Sequence, residues 1–296
     1  MFKKITEANS EKFINWVLDN KKSRLFKLGI QSNKYKKIKL QTFKASSFLF
    51  GKKSKQKINI DGLGEIKIPF FSFGNISSIH KWDIEDLFLF SYYKKNQSLY
   101  KQAYDLGANV GLHSIIMSKC GYKKILSYEP DPKHIKQLKK NFKENKIKKV
   151  KLNKKAIFIS QGSVIFNRIL GNTQSSHIIN AKMNPYGKIV KIKVPTVDFK
   201  DILPKIKTLV KMDIENVEGK VLLRTQKKNW KYMDAFVEIG DYTNAKKIFD
   251  YFKKISVNIF SNKKKWKKVK YIKDMPTTYK EGLVFISLKK KLPSML

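Results

Sequence analysis

Two short stretches carry residue types at spacings that could do chemistry. The first is Asp105-Leu106-Gly107-Ala108-Asn109-Val110-Gly111-Leu112-His113. Apolar and β-friendly residues precede it (Leu99, Tyr100, Ala103, Tyr104), and Ile115, Ile116 and Met117 follow at helical spacing. It reads as a strand, a tight glycine turn and a helix start, the place where a ligand comes close to backbone. A further acid, Glu129, ends the next strand. Asn109 stands where a dinucleotide fingerprint has its second glycine, and no lysine follows as in a P-loop. Acids at both ends suit a ligand with an amino-acid end, a ribose and a cation instead of a pyrophosphate. S-adenosylmethionine is such a ligand, and an ordinary βα turn would also hold two glycines.

The second stretch is Lys211-Met212-Asp213-Ile214-Glu215-Asn216-Val217-Glu218. Three acids crowd the carboxyl end of a predicted parallel strand, where open α/β sheets bind ligands. Asp213 and Glu215 share a face if the strand runs that far. Glu238, ending the following strand, adds a neighbouring carboxylate. A divalent ion among Asp213, Glu215 and Glu238 is disfavoured by Lys211 alongside, and no metal is expected.

The elements that must position these groups alternate between strand and helix from Leu99 onward, which predicts a doubly wound, mostly parallel sheet. Strands are expected at Lys124–Tyr128, Val150–Leu152, Thr208–Ile214, Ala235–Ile239, Val257–Phe260 and Leu283–Leu288. Added strands are expected at Phe158–Ile169 and Ile189–Val194, joined by a polar link containing His177. Helices are expected after Asp131, which can cap one carrying Ile135, Leu138 and Phe142, and at Val217–Lys228 and Ala245–Phe252. Residues 1–98 read as an N-terminal α+β extension. It has short helices before residue 28, an alternating aromatic texture from Phe43 to Phe71 with a hairpin around Asp61-Gly62-Leu63-Gly64, and a helix at Trp82–Tyr93. Residues 99–296 form the main domain.

The 296 residues, 42% hydrophobic and 12% aromatic, can bury a substantial core. Cys120 is the single cysteine, which excludes an internal disulfide and fits a reducing compartment. Met1-Phe2-Lys3-Lys4 is followed by polar residues, and Leu87-Phe88-Leu89-Phe90 is too short to span a bilayer. A soluble, cytoplasmic protein is expected. The formal net charge is +41, yet only Arg24, Arg168 and Arg224 among 64 basic residues are arginine. Readers of nucleic acid favour the planar arginine fork, so this skew reads as a lysine-rich composition. The sharper reading is attraction to an anionic membrane surface or polyanion, best supported by Lys263-Lys264-Lys265-Trp266-Lys267-Lys268.

Taken together, Asp105 to Gly111, Tyr128-Glu129-Pro130, Asn141, Thr196-Val197-Asp198, Lys211 to Glu215 with Glu218, and Val237-Glu238 resemble the FkbM-type S-adenosylmethionine-dependent methyltransferases. One departure is Asn216, where the family usually has glycine; Asn best tolerates a left-handed backbone after Gly. The resemblance implies a Rossmann-like sheet of seven strands with the last antiparallel. It implies methyl transfer, mostly to oxygen, on a sugar, glycolipid or secondary metabolite. Asp105, Gly107, Ala108, Asn109 and Gly111 would then line the methionine end of the cofactor, Glu129 with Pro130 would hold the ribose, and Ala156, beside Lys155, would border the adenine. His113 would orient backbone or ligand.

Removal of the acceptor's hydroxyl proton needs a base. Asp213 is the first candidate by position, and His177 the second, in an insertion that could reach over the site. The partner expected is a small-molecule or glycan acceptor. Nucleic acid is disfavoured: Asn184-Pro185-Tyr186 lacks a second proline, falls before the fourth core strand, and reads as a turn. A non-catalytic basic surface-binding protein is the remaining alternative, and the intact motif residues argue against it.

Overall fold

Strands rich in Val, Ile, Phe and Met assemble into one central sheet. The structure, a computed structural model, describes residues 2–179, 181 and 187–293; the turn expected at Asn184-Pro185-Tyr186 lies outside them. The main strands are β1 (Gln102–Leu106), β2 (Ile125–Tyr128), β3 (Val150–Asn153), β4 (Thr208–Met212), β5 (Met233–Glu238), β6 (Asn258–Ser261) and β7 (Leu283–Ser287). Their order is β3-β2-β1-β4-β5-β7-β6. β1 to β5 run parallel, and β7 is antiparallel to both β5 and β6. The Rossmann-like sheet with a reversed final strand is therefore present. A two-residue strand, Lys267–Lys268, extends it to eight at the β6 edge.

The pleat sorts the core into two layers, because neighbouring residues point to opposite faces. Ala103, Leu209, Phe236 and Phe285 pack on one face with the N-terminal helices and Leu112–Lys119. Tyr104, Val210, Val237 and Val284 pack on the other with the helices Glu218–Leu222 and Tyr242–Lys254. Every residue of β1 and β4 is buried, as expected of central strands covered on both sides.

The N-terminal region shares the first layer: Phe13, Val17, Ile38 and Phe88 lie in the same buried cluster as Ile115. Its hairpin pairs Lys57–Ile60 with Gly64–Lys67. The helix Asn33–Phe50 overturns the alternating texture expected from Phe43, which begins only after it. Its inward stripe includes Thr42 and Ser46, whose hydroxyls donate to the carbonyls of Ile38 and Trp82; these polar types hid the helical period. The helix expected at Val217–Lys228 is shorter, Glu218–Leu222, because the Thr225 hydroxyl donates to the Leu222 carbonyl and closes its end. Trp266 is stacked flat on Phe88 at 4.4 Å, so the aromatic of the lysine cluster is core and not a surface ligand.

A second sheet, built from residues 156–198, joins Ala156–Phe158, Gly162–Ile169, His177–Ile178 and Ile189–Asp198. Arg168 ties it to the main domain by donating from Nε and one terminal nitrogen to Asp131 at 2.8 and 2.6 Å. Asp131 also caps the helix Pro132–Glu144 by accepting from the Lys133 N–H. Among the described residues no helix is long and apolar enough to cross a membrane.

Candidate functional site

Strand order reverses between β1 and β4, which opens a crevice at their carboxyl ends. Gly107 leaves β1 there with φ +79, and a Cβ on it would lie 1.8 Å from the Asp213 carbonyl oxygen. The turn is pinned from several sides. The N–H groups of Gly107 and Ala108 both donate to the Tyr128 carbonyl, and Asn141 Nδ2 donates to the Val110 carbonyl at 2.8 Å. Gly111, also at positive φ, lets the following helix approach Leu138 and Phe142, which a Cβ would meet at 2.8 and 2.7 Å.

Glu129 comes to this turn from the end of β2. Its Oε2 accepts from the Asn109 N–H at 2.8 Å and its Oε1 from the Asp131 N–H at 2.9 Å. His134 lies 3.4 Å away and is held in turn by Thr173, in the link between two strands of the second sheet. Glu129, Pro130, Asn109, Gly107, Ala156 and Asp213 all line one cleft of about 530 Å³, with Ile157 and Phe166 as an apolar wall. Thr173, Ser176 and Ile178 come from the second sheet and its link, which thus borders the cleft. A wider chamber of about 940 Å³ continues past Asn109 and Asp213 toward Ala108, His113, Lys81 and Glu238.

Asp213 stands where the two spaces meet, its side chain 36% exposed. Lys211 Nζ donates to the Gly107 carbonyl at 2.8 Å and lies 3.4 Å from Asp213 and 3.6 Å from Asp105. Burial opposes ionisation of Asp213, but the Lys211 charge and a hydrogen bond with Glu238 outweigh it and hold the carboxyl below its ordinary value. Burial and the Asp213 charge push Glu238 well above the usual range. The two shifts run in opposite directions, which favours the charge on Asp213 and the proton on Glu238. Burial works against Lys211 as well, yet Asp213 and Asp105 raise it above an ordinary amine.

The remaining sequence candidates fall in different places. Asp105 is wholly buried beneath the turn, accepting from the Ser114 hydroxyl at 2.6 Å, and lines neither space. Gly111 acts through helix packing. His113 borders the chamber with its ring between the Tyr93 hydroxyl and Asp86, both at 3.0 Å. His177 is 1% exposed inside the second sheet, bonded to the Ser175 carbonyl, and lines neither space. β4 ends at Met212, so Asp213 and Glu215 do not share a strand face; Glu215 and Asn216 instead turn with φ +59 and +79. Sequence reasoning did not find Phe166, Thr173, Ser176, Lys81 or Tyr279, because residues from an insertion and from distant segments carry no local motif.

Glu129 and Asn109 bring acceptor groups to a cleft walled in part by apolar residues. Asn109 Oδ1 is buried there without a hydrogen-bond donor among the described residues, an acceptor suited to an ammonium. The sequence matches the Methyltransferase FkbM domain over residues 105–259. No curated protein matches it. Among solved structures it is similar to a methyltransferase FkbM from Methylobacillus flagellatus KT, at 14% identity over 63% of this chain and 43% of that one, with TM-score 0.41. It is also similar to a ribosomal protein L11 methylase from Lactobacillus delbrueckii subsp. bulgaricus (13% identity, 70% and 79% covered, TM-score 0.36). A third is a precorrin-6y C5,15-methyltransferase from Geobacter metallireducens GS-15 (11%, 67% and 85%, 0.35). The chain thus spans less than half the length of the Methylobacillus protein.

Proposed function

The chain belongs to the FkbM methyltransferase family, and from that premise we propose that it transfers a methyl group from S-adenosylmethionine to a hydroxyl oxygen of a sugar, glycolipid or secondary metabolite. The observation that carries this reading is one cleft lined together by the Glu129 carboxylate, apolar Ile157 and Phe166, and Asp213, whose carboxyl is held below its ordinary value.

When bound, the cofactor supplies an electrophilic methyl group on a sulfonium. The residues of the chain supply position and a proton acceptor. A carboxylate has about four acceptor sites. Glu129 spends two on the backbone of Asn109 and Asp131, and the others would take the ribose hydroxyls. Asn109 Oδ1 would accept from the ammonium of the amino-acid end. Ala156, Ile157 and Phe166 would cover the purine and keep water from it. Asp213 would take the acceptor's proton as the new C–O bond forms: the hydroxyl O–H bond breaks, a carboxyl O–H forms, and the methyl–sulfur bond breaks with its electron pair left on sulfur as the neutral thioether. Glu238, which burial and the Asp213 charge push toward its protonated form, would donate to Asp213 and keep it oriented.

Calorimetry with S-adenosylmethionine on the full chain tests the reading. The expected result is binding that Glu129→Ala and Asp105→Ala both abolish, the first by removing a contact and the second by loosening the turn. Unchanged affinity in both variants would reject it. Extracts incubated with methyl-tritiated cofactor then reveal the acceptor by its label.

A further inference from the structure

Among the described residues, the chamber beyond the cleft holds a cation with no counter-ion in contact. Lys81 closes the short turn Ser78–Lys81, is 8% exposed, and lines the chamber beside Asp86, Asp213 and Glu238. Among the described residues no carboxylate lies within ion-pair distance of its ammonium and no acceptor is bonded to it. The other charges around it are engaged, Glu215 on the chamber wall among them. Lys211 is held by Gly107, Asp105 and Asp213, Asp86 by His113, and Lys39 by Asp83 and Glu85. Burial pulls Lys81 down to about 8, although Asp86 and Asp213 pull the other way. A buried ammonium without a partner is costly, and a ligand anion would relieve that cost.

The carboxylate of the cofactor would have a separate partner. The helix Leu112–Lys119 presents its first-turn N–H groups and positive dipole end where Val110 and Leu112 border the chamber. That leaves Lys81 for a second anion in the chamber that Asp213 also lines, where the acceptor would sit. We propose that the acceptor is an anionic hydroxyl compound, such as a sugar bearing a carboxylate or phosphate, and that Lys81 docks the charged group while the hydroxyl faces Asp213. This inference rests on the methyl-transfer reading above. It also sets a pH dependence: docking needs the ammonium, so it weakens as pH rises through about 8.

The test saturates the full chain with S-adenosylhomocysteine and titrates it calorimetrically with inorganic phosphate, glucose 6-phosphate, glucuronate and glucose. At least one anionic probe should bind and glucose should not. Lys81→Met should weaken that binding about 10-fold or more, Lys81→Arg should retain it, and S-adenosylhomocysteine affinity should stay unchanged in both. Three results overturn the inference: no anionic probe binds, the probes bind Lys81→Met equally well, or Lys81→Met weakens S-adenosylhomocysteine itself. If Lys81→Met does not fold, the wild-type chain decides, since anion binding that is flat across pH 8 overturns it too. A wild-type chain that binds no S-adenosylhomocysteine overturns the cofactor reading and this inference with it, whereas loss of the anion effect alone overturns only this one.

Discussion

The backbone N–H of Asn109 donates to Glu129 Oε2 at 2.8 Å, so the acid that ends β2 and the turn that ends β1 form one unit. Glu129 is 4% exposed and its other oxygen holds the Asp131 N–H. The same carboxylate thus shapes the loop and faces the cleft.

Replacing Glu129 by Gln keeps the volume and removes the charge, and one of the two backbone N–H groups then faces an amide NH2. Loss of charge-assisted bonds of this kind should weaken S-adenosylhomocysteine binding about 10- to 100-fold. Calorimetry measures it directly, and affinity within about twofold of wild type would remove Glu129 from the ribose role.

Gly107→Ala tests the crossing of β1 and β4. The methyl would meet the Asp213 carbonyl at 1.8 Å, and φ +79 is unfavourable to any L side chain. Backbone cannot yield as a flexible side chain can, so about 3 kcal/mol or more of stability should be lost. Urea unfolding of the variant gives the number. A loss below about 1 kcal/mol would mean that the two strand ends are not held this close.

The parts of this fold that sequence reveals are those where one interaction dominates one segment. Gly107 and Asn109 sit in a turn whose geometry needs few side chains, and Asp131 caps the helix that follows it in sequence. Asn216, at φ +79, occupies the left-handed position that its type allows. What stayed hidden depends on distant partners. Lys81 and Tyr279 reach the chamber from segments far from β1 and β4. Thr42 and Ser46 broke the apolar period of a buried helix face because their hydroxyls are satisfied by backbone carbonyls. His177 is polar by type yet folds into the second sheet, and nothing local marks the Ser175 carbonyl as its partner.

Asp213→Asn should separate binding from chemistry. The amide keeps the shape but cannot take a proton, so transfer of labelled methyl to the acceptor should fall by about 10²- to 10⁴-fold, with S-adenosylhomocysteine affinity little changed. Because Lys211 holds Asp213 below the ordinary value of 3.8, the base stays ionised through neutral pH. On the acid side, activity should be lost only as pH falls through that lowered value. A rate limb from this group near neutrality would point to another base.

Glu218 gives a stability test that needs no ligand. It is 1% exposed and accepts from the Ile214 N–H at 2.9 Å and from Asn244 Nδ2 at 2.9 Å. Burial nevertheless pushes its carboxyl from the ordinary 4.5 up to about 7. The folded chain therefore keeps a proton that the unfolded chain has released between those values. The contribution is fully present below pH 4.5 and is lost as pH rises through about 7, a change on the order of 3 kcal/mol. Glu85, also pushed to about 7 by burial, slopes the same way, so the comparison must be between variants. Thermal melts from pH 4.5 to 7 should show a shallower decline for Glu218→Gln than for wild type. Parallel curves would show that Glu218 is already ionised in the folded protein and that its two donors outweigh the cost of burial.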